Sequence, residues 1–189
     1  MRKIIGVAGT IGAGKDIVTK YIAEKYGYDV IIMGDLVRKV AKEEGLDESR
    51  ESLVRVQKEK VEKFGKSYWG KMVVDLIEEK DWKKVVINGI RRVEDYLIPK
   101  NHFKEDKFVF LFVDADPKLR AERLIKRGRE GDPKNWDEFL MQENWENENF
   151  DYDKLRKLYD YKIEKAGEGE KGICIPKIGK EFDEWDFFR

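Results

Sequence analysis

Lys3-Ile4-Ile5-Gly6-Val7-Ala8-Gly9-Thr10-Ile11-Gly12-Ala13-Gly14-Lys15-Asp16 is the stretch that decides the fold. After Lys3 its first residues form a continuous apolar run, as in a strand buried on both faces of a parallel sheet. The last eight fit G-x-x-x-x-G-K, with Asp16 where serine or threonine is usual. Its glycines let successive backbone N–H groups converge on phosphate oxygens. A helix beginning near Lys15 adds its positive end. Lys15 is a mobile cation that can reach the β- and γ-phosphates. Ile17, Val18, Tyr21, Ile22 and Tyr26 then mark one helical face. The order strand, glycine loop, amphipathic helix makes the motif far more specific than its bare pattern.

Further along, residues 30–33 (VIIM), 84–88 (KVVIN), 108–113 (FVFLFV) and 161–163 read as strands. Leu36, Val37, Val40 and Ala41 give a helical face that stops near Gly45. Residues 49–80 read as two helices broken near Gly65-Lys66-Ser67. Val54 and Val61 share a face of the first; Met72, Val73, Leu76 and Ile77 line the second. Asp116 as N-cap and Pro117 in the first turn open a helix that runs to about Arg127. A polar loop follows over residues 128–134, then a helix over 135–149 with Trp136, Phe139, Leu140 and Trp145 partly on one side. Strands alternating with helices predict an α/β chain. It should form three layers, α/β/α, around a five-stranded parallel sheet, as a single domain over residues 1–189. Ligands of such sheets sit at the carboxyl ends of the strands. The informative segments therefore follow Ala8, Met33, Asn88 and Val113.

Composition narrows the field. Lys+Arg and Asp+Glu balance at 39 each, and 41% of the chain is charged. A balanced Lys/Glu-rich surface is a hyperthermophile-like signal and argues against a nucleic-acid binder. The single cysteine, Cys174, cannot form an internal disulfide, and the single histidine, His102, argues against a histidine metal cluster. No apolar stretch is long enough for a bilayer, and no signal-peptide pattern opens the sequence. A cytoplasmic location is expected. Residues 181–189 (EFDEWDFFR) carry Phe182, Trp185, Phe187 and Phe188. This aromatic tail is expected either to pack back on the domain or to form a homodimer contact.

The class of phosphate-loop protein follows from what else is present. A guanine-reading NKxD is missing, and so is an apolar strand ending in Asp-Glu as motor ATPases have. Arginines instead follow each strand: Arg38 after the second, Arg91 and Arg92 after the third, then Arg120, Arg123 and Arg127 at i, i+3 and i+7 on one helix. Arginine holds phosphate oxygens bidentately and keeps its charge. Phosphoryl transfer needs little beyond two phosphates held in line within positive charge. Asp16 can supply an oxygen ligand to Mg²⁺, a hard ion. The third strand ends in Asn88 where an acid is usual. One reading moves the magnesium carboxylate to Asp16, with Asn88 acting through water. The other leaves Asp16 as a helix cap and Asn88 as a water-orienting group.

The ordered set GTIGAGK, GDLVR, NGIRRVED and RAERLIKRGR resembles the P-loop nucleoside-monophosphate kinase superfamily. GDLVRKV is similar to the adenylate-kinase GD-hydrophobic-LR segment. NGIRRVED is similar to DGFPRT, with Asn for Asp and no proline. The first 165 or so residues look like archaeal kinase-like proteins related to dephospho-CoA kinases, which share the GDPKxWxxF-type segment, here residues 131–139. The resemblance implies ATP and Mg²⁺ as cofactors, with ATP held by Gly9, Thr10, Ile11, Gly12, Ala13, Gly14, Lys15 and Asp16. It implies that Arg38 and Arg91 hold the acceptor's phosphate, that Asp35 orients or accepts from the acceptor, and that Arg123 and Arg127 contact the donor's phosphates. The loop after Ile163 would flank the donor base. Residues 35–80 would bind a small-molecule nucleotide acceptor, a (deoxy)nucleoside monophosphate or dephospho-CoA, and residues 128–150 would form a lid. Two rivals stay open: a regulatory ATP-binding protein or slow ATPase serving a partner, and a kinase for a non-nucleotide acceptor.

Overall fold

The computed structural model describes residues 1–165 and Phe187. Five strands run β1 Lys3–Gly9, β2 Asp29–Ile32, β3 Lys84–Ile90, β4 Lys107–Ala115 and β5 Tyr161–Lys165. All pair in parallel in the order β2-β3-β1-β4-β5. Among the described residues the helices are α1 Lys15–Tyr26, α2 Met33–Glu43, α3 Arg50–Phe64, α4 Tyr68–Glu79, α5 Val93–His102, α6 Pro117–Arg127, α7 Trp136–Asn149 and α8 Tyr152–Leu155. The expected α/β sheet, parallel throughout, is what forms.

The continuous apolar runs of β1, β3 and β4 have their physical cause in burial on both sides. Ile4, Ala8, Val85, Ile87, Phe110 and Phe112 face one core, with α2, α3, α4 and α5 packed over it. Ile5, Val7, Val86, Leu111 and Val113 face the other, covered by Val18 and Ile22 of α1 and by Phe187. Phe187 is thus packed back on the sheet, and the Lys3 ammonium lies 6.0 Å from its ring centre. The rest of the aromatic tail, Cys174 and the segment expected to flank the donor base lie outside the described residues. Among the described residues no helix is long and apolar enough to cross a membrane.

The structure differs from the sequence reading in element boundaries, in one buried face and in an added helix. Met33 is the first residue of α2, not the end of a strand, so Asp35 and Arg38 sit on helix and not on loop. β3 continues past Asn88 to Ile90, with a register shift against β1 after Val7 and Gly89 at φ 90°. Among the described residues the buried apolar side chain of α3 is Val56, while Val54 lines the cleft described below. Helix α5 was not expected at all. Pro99 stands inside it, and Asp95 sits among its buried residues, so neither helix propensity nor apolar periodicity marks it.

Candidate active site

β1 delivers the loop. Gly9 closes the strand where a Cβ would lie 2.0 Å from the Val113 carbonyl oxygen, so no other residue fits between β1 and β4. Gly14 takes a left-handed conformation, φ 96°, as N-cap of α1, and brings no side chain to cap it. The first amides of α1 are left for an external anion, the arrangement that phosphate binding uses. Thr10 Oγ1 donates to Asp114 Oδ1 at 3.0 Å, tying the loop to β4.

Lys15 Nζ donates to the carbonyls of Gly9 and Thr10, both at 2.9 Å. Burial lowers its pKa to about 8, with Glu146 and Asp16 opposing and Arg91 and Arg120 assisting. Asn88 Nδ2 donates to Asp16 Oδ1 at 2.9 Å. Asn88 is 3% exposed, and its own Oδ1 is buried without a hydrogen-bond partner. The two residues singled out for magnesium are therefore in direct contact through the Asn88 amide nitrogen, and between them they supply a carboxylate and an unpartnered amide oxygen. That donor set fits a hard cation. Among the described residues no group of three His, Cys, Asp or Glu side chains could hold a metal alone. An ion here needs the phosphates of a nucleotide as further ligands.

The three arginines of α6 part company. Arg120 is 3% exposed and wholly committed to the fold. Its Nε donates to Ala115 O at 2.9 Å, one terminal nitrogen to Ile11 O at 3.2 Å, and the other to Glu143 of α7. It pins the phosphate loop to α7 over the Phe139 ring, 5.3 Å away. Arg127 forks onto Asp132, Nε to Oδ2 at 2.8 Å and a terminal nitrogen to Oδ1 at 2.5 Å, and both line the cleft. Arg123 is outside the cleft wall, half-buried, with one terminal nitrogen unpartnered, and burial lowers its pKa.

The cleft itself measures about 470 Å³, and Gly12, Lys15, Asp16, Asn88, Arg38 and Arg91 all line it. Val37, Leu53, Val54 and Trp69 give it an apolar wall. Arg38 is paired with Asp35 and lies 3.9 Å from Glu48. Asp35 does not line the cleft; its side chain is 60% exposed on the outer face of α2. The structure thus joins Lys15, Asp16, Asn88, Arg38, Arg91 and Arg127 around one cavity and leaves Asp35 and Arg123 at its margin.

Two cleft residues were missed. Glu146 of α7 is 3% exposed, accepts from Tyr152 Oη at 3.2 Å and pairs with Arg91 at 3.5 Å. Asp95 is 4% exposed, and its Oδ2 accepts from Arg92 N at 3.1 Å. Spacing could have found Glu146: Phe139, Glu143 and Glu146 stand at i, i+4 and i+7, one face. Asp95 stands three after Arg92, a capping position.

The sequence profile described as AAA domain matches residues 8–139. A UPF0200 protein of Thermococcus sibiricus is 33% identical over 162 residues, covering 85% of this chain and 84% of that one. Among solved structures, TT1252 from Thermus thermophilus superposes with a TM-score of 0.57 at 21% identity, covering 88% of this chain and 90% of its own. Shikimate kinase from Acinetobacter baumannii does so with 0.52 at 16%, covering 97% and 92%. The chain belongs to the UPF0200 family of AAA-domain P-loop proteins, and its fold is the P-loop kinase fold.

Proposed function

We propose that this chain is an ATP-dependent kinase that transfers the γ-phosphoryl group to a nucleotide or nucleotide-like acceptor, a (deoxy)nucleoside monophosphate or dephospho-CoA. The observation that carries the reading is one cleft lined both by Gly12, Gly14, Lys15 and Asp16 of the phosphate loop and by Arg38 and Arg91. Two anionic groups can lie in line within it, which is the main requirement of phosphoryl transfer.

The roles follow from position. The amides of residues 9–16 and Lys15 hold the donor's phosphates. Asp16, and Asn88 through water, would hold Mg²⁺, which would supply charge neutralisation on the donor's phosphates. Arg38 and Arg91 take the acceptor's anionic group. Arg127 is the donor-side cation that faces the cleft; Arg123 reaches the donor only with movement of α6. Residues 128–150 act as a lid that excludes water, the competing acceptor. A cytoplasmic location belongs to the same proposal, because ATP is the donor.

The test is acceptor-dependent release of ADP across a panel of monophosphates, dephospho-CoA and small alcohols. Transfer that needs an acceptor and disappears in Lys15→Ala supports the reading. ADP formed at one rate with or without any acceptor would replace it with an ATPase.

A further inference from the structure

Three side chains that line the cleft are almost wholly buried, and each keeps one polar atom without a hydrogen-bond partner. They are Trp69 Nε1 (2% exposed), Asn88 Oδ1 (3%) and Asp95 Oδ1 (4%). Buried polar atoms in folded proteins are nearly always satisfied. Three orphans around one cavity point to a ligand. Asn88 Nδ2 is bonded to Asp16, and its unpartnered Oδ1 belongs to the ion site proposed above. Trp69 and Asp95 are not used by anything described so far.

These two share a wall for a structural reason. Helices α4 and α5 touch at Gly70, where a Cβ would lie 2.9 Å from Glu94 O and 2.9 Å from Ile98 Cβ. The glycine follows Trp69 directly, and Glu94 precedes Asp95 directly. The close approach of the two helices holds these segments together, and both Trp69 and Asp95 line the same cleft. Asp95 is only half employed as a cap: Oδ2 accepts from Arg92 N, and Oδ1 is left over.

A carboxylate oxygen takes a hydrogen and repels an anion. A phosphate acceptor, ionised at neutral pH, brings charge and no proton that must be removed. A hydroxyl brings the hydrogen and needs a base to lose it. We infer that Asp95 Oδ1 receives the hydrogen of an acceptor hydroxyl, that Trp69 Nε1 donates to a second oxygen of the same molecule, and that the group phosphorylated is an alcohol and not a phosphate.

The inference rests on the kinase reading above and selects among its acceptors those that attack through a hydroxyl. Arg38 and Arg91 then hold an anionic group elsewhere on that molecule. In the step, the hydroxyl oxygen forms a bond to the γ-phosphorus of ATP. The bond from that phosphorus to the β,γ-bridging oxygen breaks, and ADP leaves with its electron pair. The hydroxyl proton passes to Asp95 Oδ1 and from there to solvent.

The surroundings suit a base. Burial raises the Asp95 carboxyl to about 6, the Arg92 amide and charge and the Arg91 amide oppose, and Glu94 assists. Arg91 flanks it from the β3–α5 turn, paired with Glu146 of α7. Asp151 accepts from Val93 N at 3.3 Å on the far side of the same helix start. Trp69 is the residue that α4 presents. A carboxyl at about 6 is ionised at neutral pH yet basic enough to take a proton in the transition state.

The experiment uses the full chain, ATP and two matched probes, adenosine monophosphate and its 2′,3′-dideoxy analogue, alongside the alcohol-bearing members of the panel. Phosphorus NMR of the product distinguishes a phosphate ester from a phosphoanhydride. The expected result is an ester, with no transfer to the dideoxy probe. Asp95→Asn preserves the cap and should lower kcat by roughly 10²–10⁴-fold with KM within about threefold. It should remove the acidic limb near pH 6, and Asp95→Glu should restore part of kcat. ATP affinity of each variant, read with a fluorescent analogue, shows that the loop remains formed. An anhydride product, or Asp95→Asn with unchanged kcat, overturns this inference and leaves the kinase standing. No acceptor-dependent turnover of any kind overturns both.

Discussion

Asn88 Nδ2 donates to Asp16 Oδ1 across 2.9 Å, so the strand beside β1 and the first turn of α1 share a side-chain bond in front of the phosphate loop. In the usual motif a hydroxyl on the helix and a carboxylate on the strand share the ion. Here the carboxylate is on the helix, and an amide from the strand fixes its orientation.

Exchange of roles between these two positions has a measurable consequence. Asp16→Ala should raise the Mg²⁺ concentration for half-maximal turnover by about tenfold or more, as loss of a metal ligand does. Asn88→Ala should shift it less, because Asn88 reaches the ion only through water and otherwise orients Asp16. The double variant should be no worse than Asp16→Ala, since the two side chains act as one unit. An Mg²⁺ dependence unchanged in Asp16→Ala returns Asp16 to the role of a helix cap.

Arg120 makes a prediction of the opposite kind, on stability and not on transfer. Its guanidinium satisfies Ala115 O, Ile11 O and Glu143 at once, while 3% exposed. Arg120→Ala strands the Glu143 carboxylate, and breaking a buried pair this way costs about 3–5 kcal/mol. Lysine cannot reproduce the fork, so Arg120→Lys should recover little of it. Urea unfolding checks both. Equal midpoints for wild type and Arg120→Ala would show that the loop is held by other contacts.

What the residues reveal and what they conceal has a common cause. The β4 run Phe108-Val109-Phe110-Leu111-Phe112-Val113 and the glycine loop are legible because burial on both faces and phosphate geometry leave few alternatives. Apolar periodicity finds no helix where buried positions are charged. That hides α5 with its buried Asp95, and in α7, where the helix is legible, it hides the inward roles of Glu143 and Glu146, each paired with an arginine of another element. The spacing of Arg120, Arg123 and Arg127 shows one face but not which way each guanidinium turns. Only the position of Glu143 and Asp132 decides that Arg120 is structural and Arg127 faces the cleft. Met33 reads equally well as a strand end or a helix start, since a buried apolar residue serves both.

The Lys15 ammonium gives a pH prediction whose sign differs from that of a salt-bridged lysine. Burial lowers its pKa from 10.5 to about 8 in the folded chain without nucleotide. Between about 8 and 10.5 the unfolded chain therefore binds more protons. Lys15's contribution makes stability rise with pH across that window. Below 8 the buried charge is a standing cost. Lys15→Met should therefore raise the melting temperature at pH 7 and flatten its rise above pH 8, while abolishing ATP binding. In the wild type, ATP affinity should fall as pH rises above about 8, because the neutral amine has no charge to offer. A Lys15→Met chain that melts below wild type would contradict the burial cost.

Arg127 and Asp132 join the end of α6 to the loop over residues 128–134, with Arg129 N donating a further 3.0 Å bond to Asp132 Oδ2. The hydrogen bond from Arg127 lowers the Asp132 carboxyl, so the pair is complete at neutral pH and is lost only well into acid. While the fork is occupied, Arg127 is not available to a phosphate. Asp132→Asn should loosen the pair, free the guanidinium and tighten ATP binding, with product release slowed and kcat lowered as a result. Arg127→Ala should weaken ATP binding and lower kcat together. Nucleotide titration with pre-steady-state measurement of ADP release separates the two. Weaker binding in Asp132→Asn would mean that Asp132 positions Arg127 for the donor and does not hold it away.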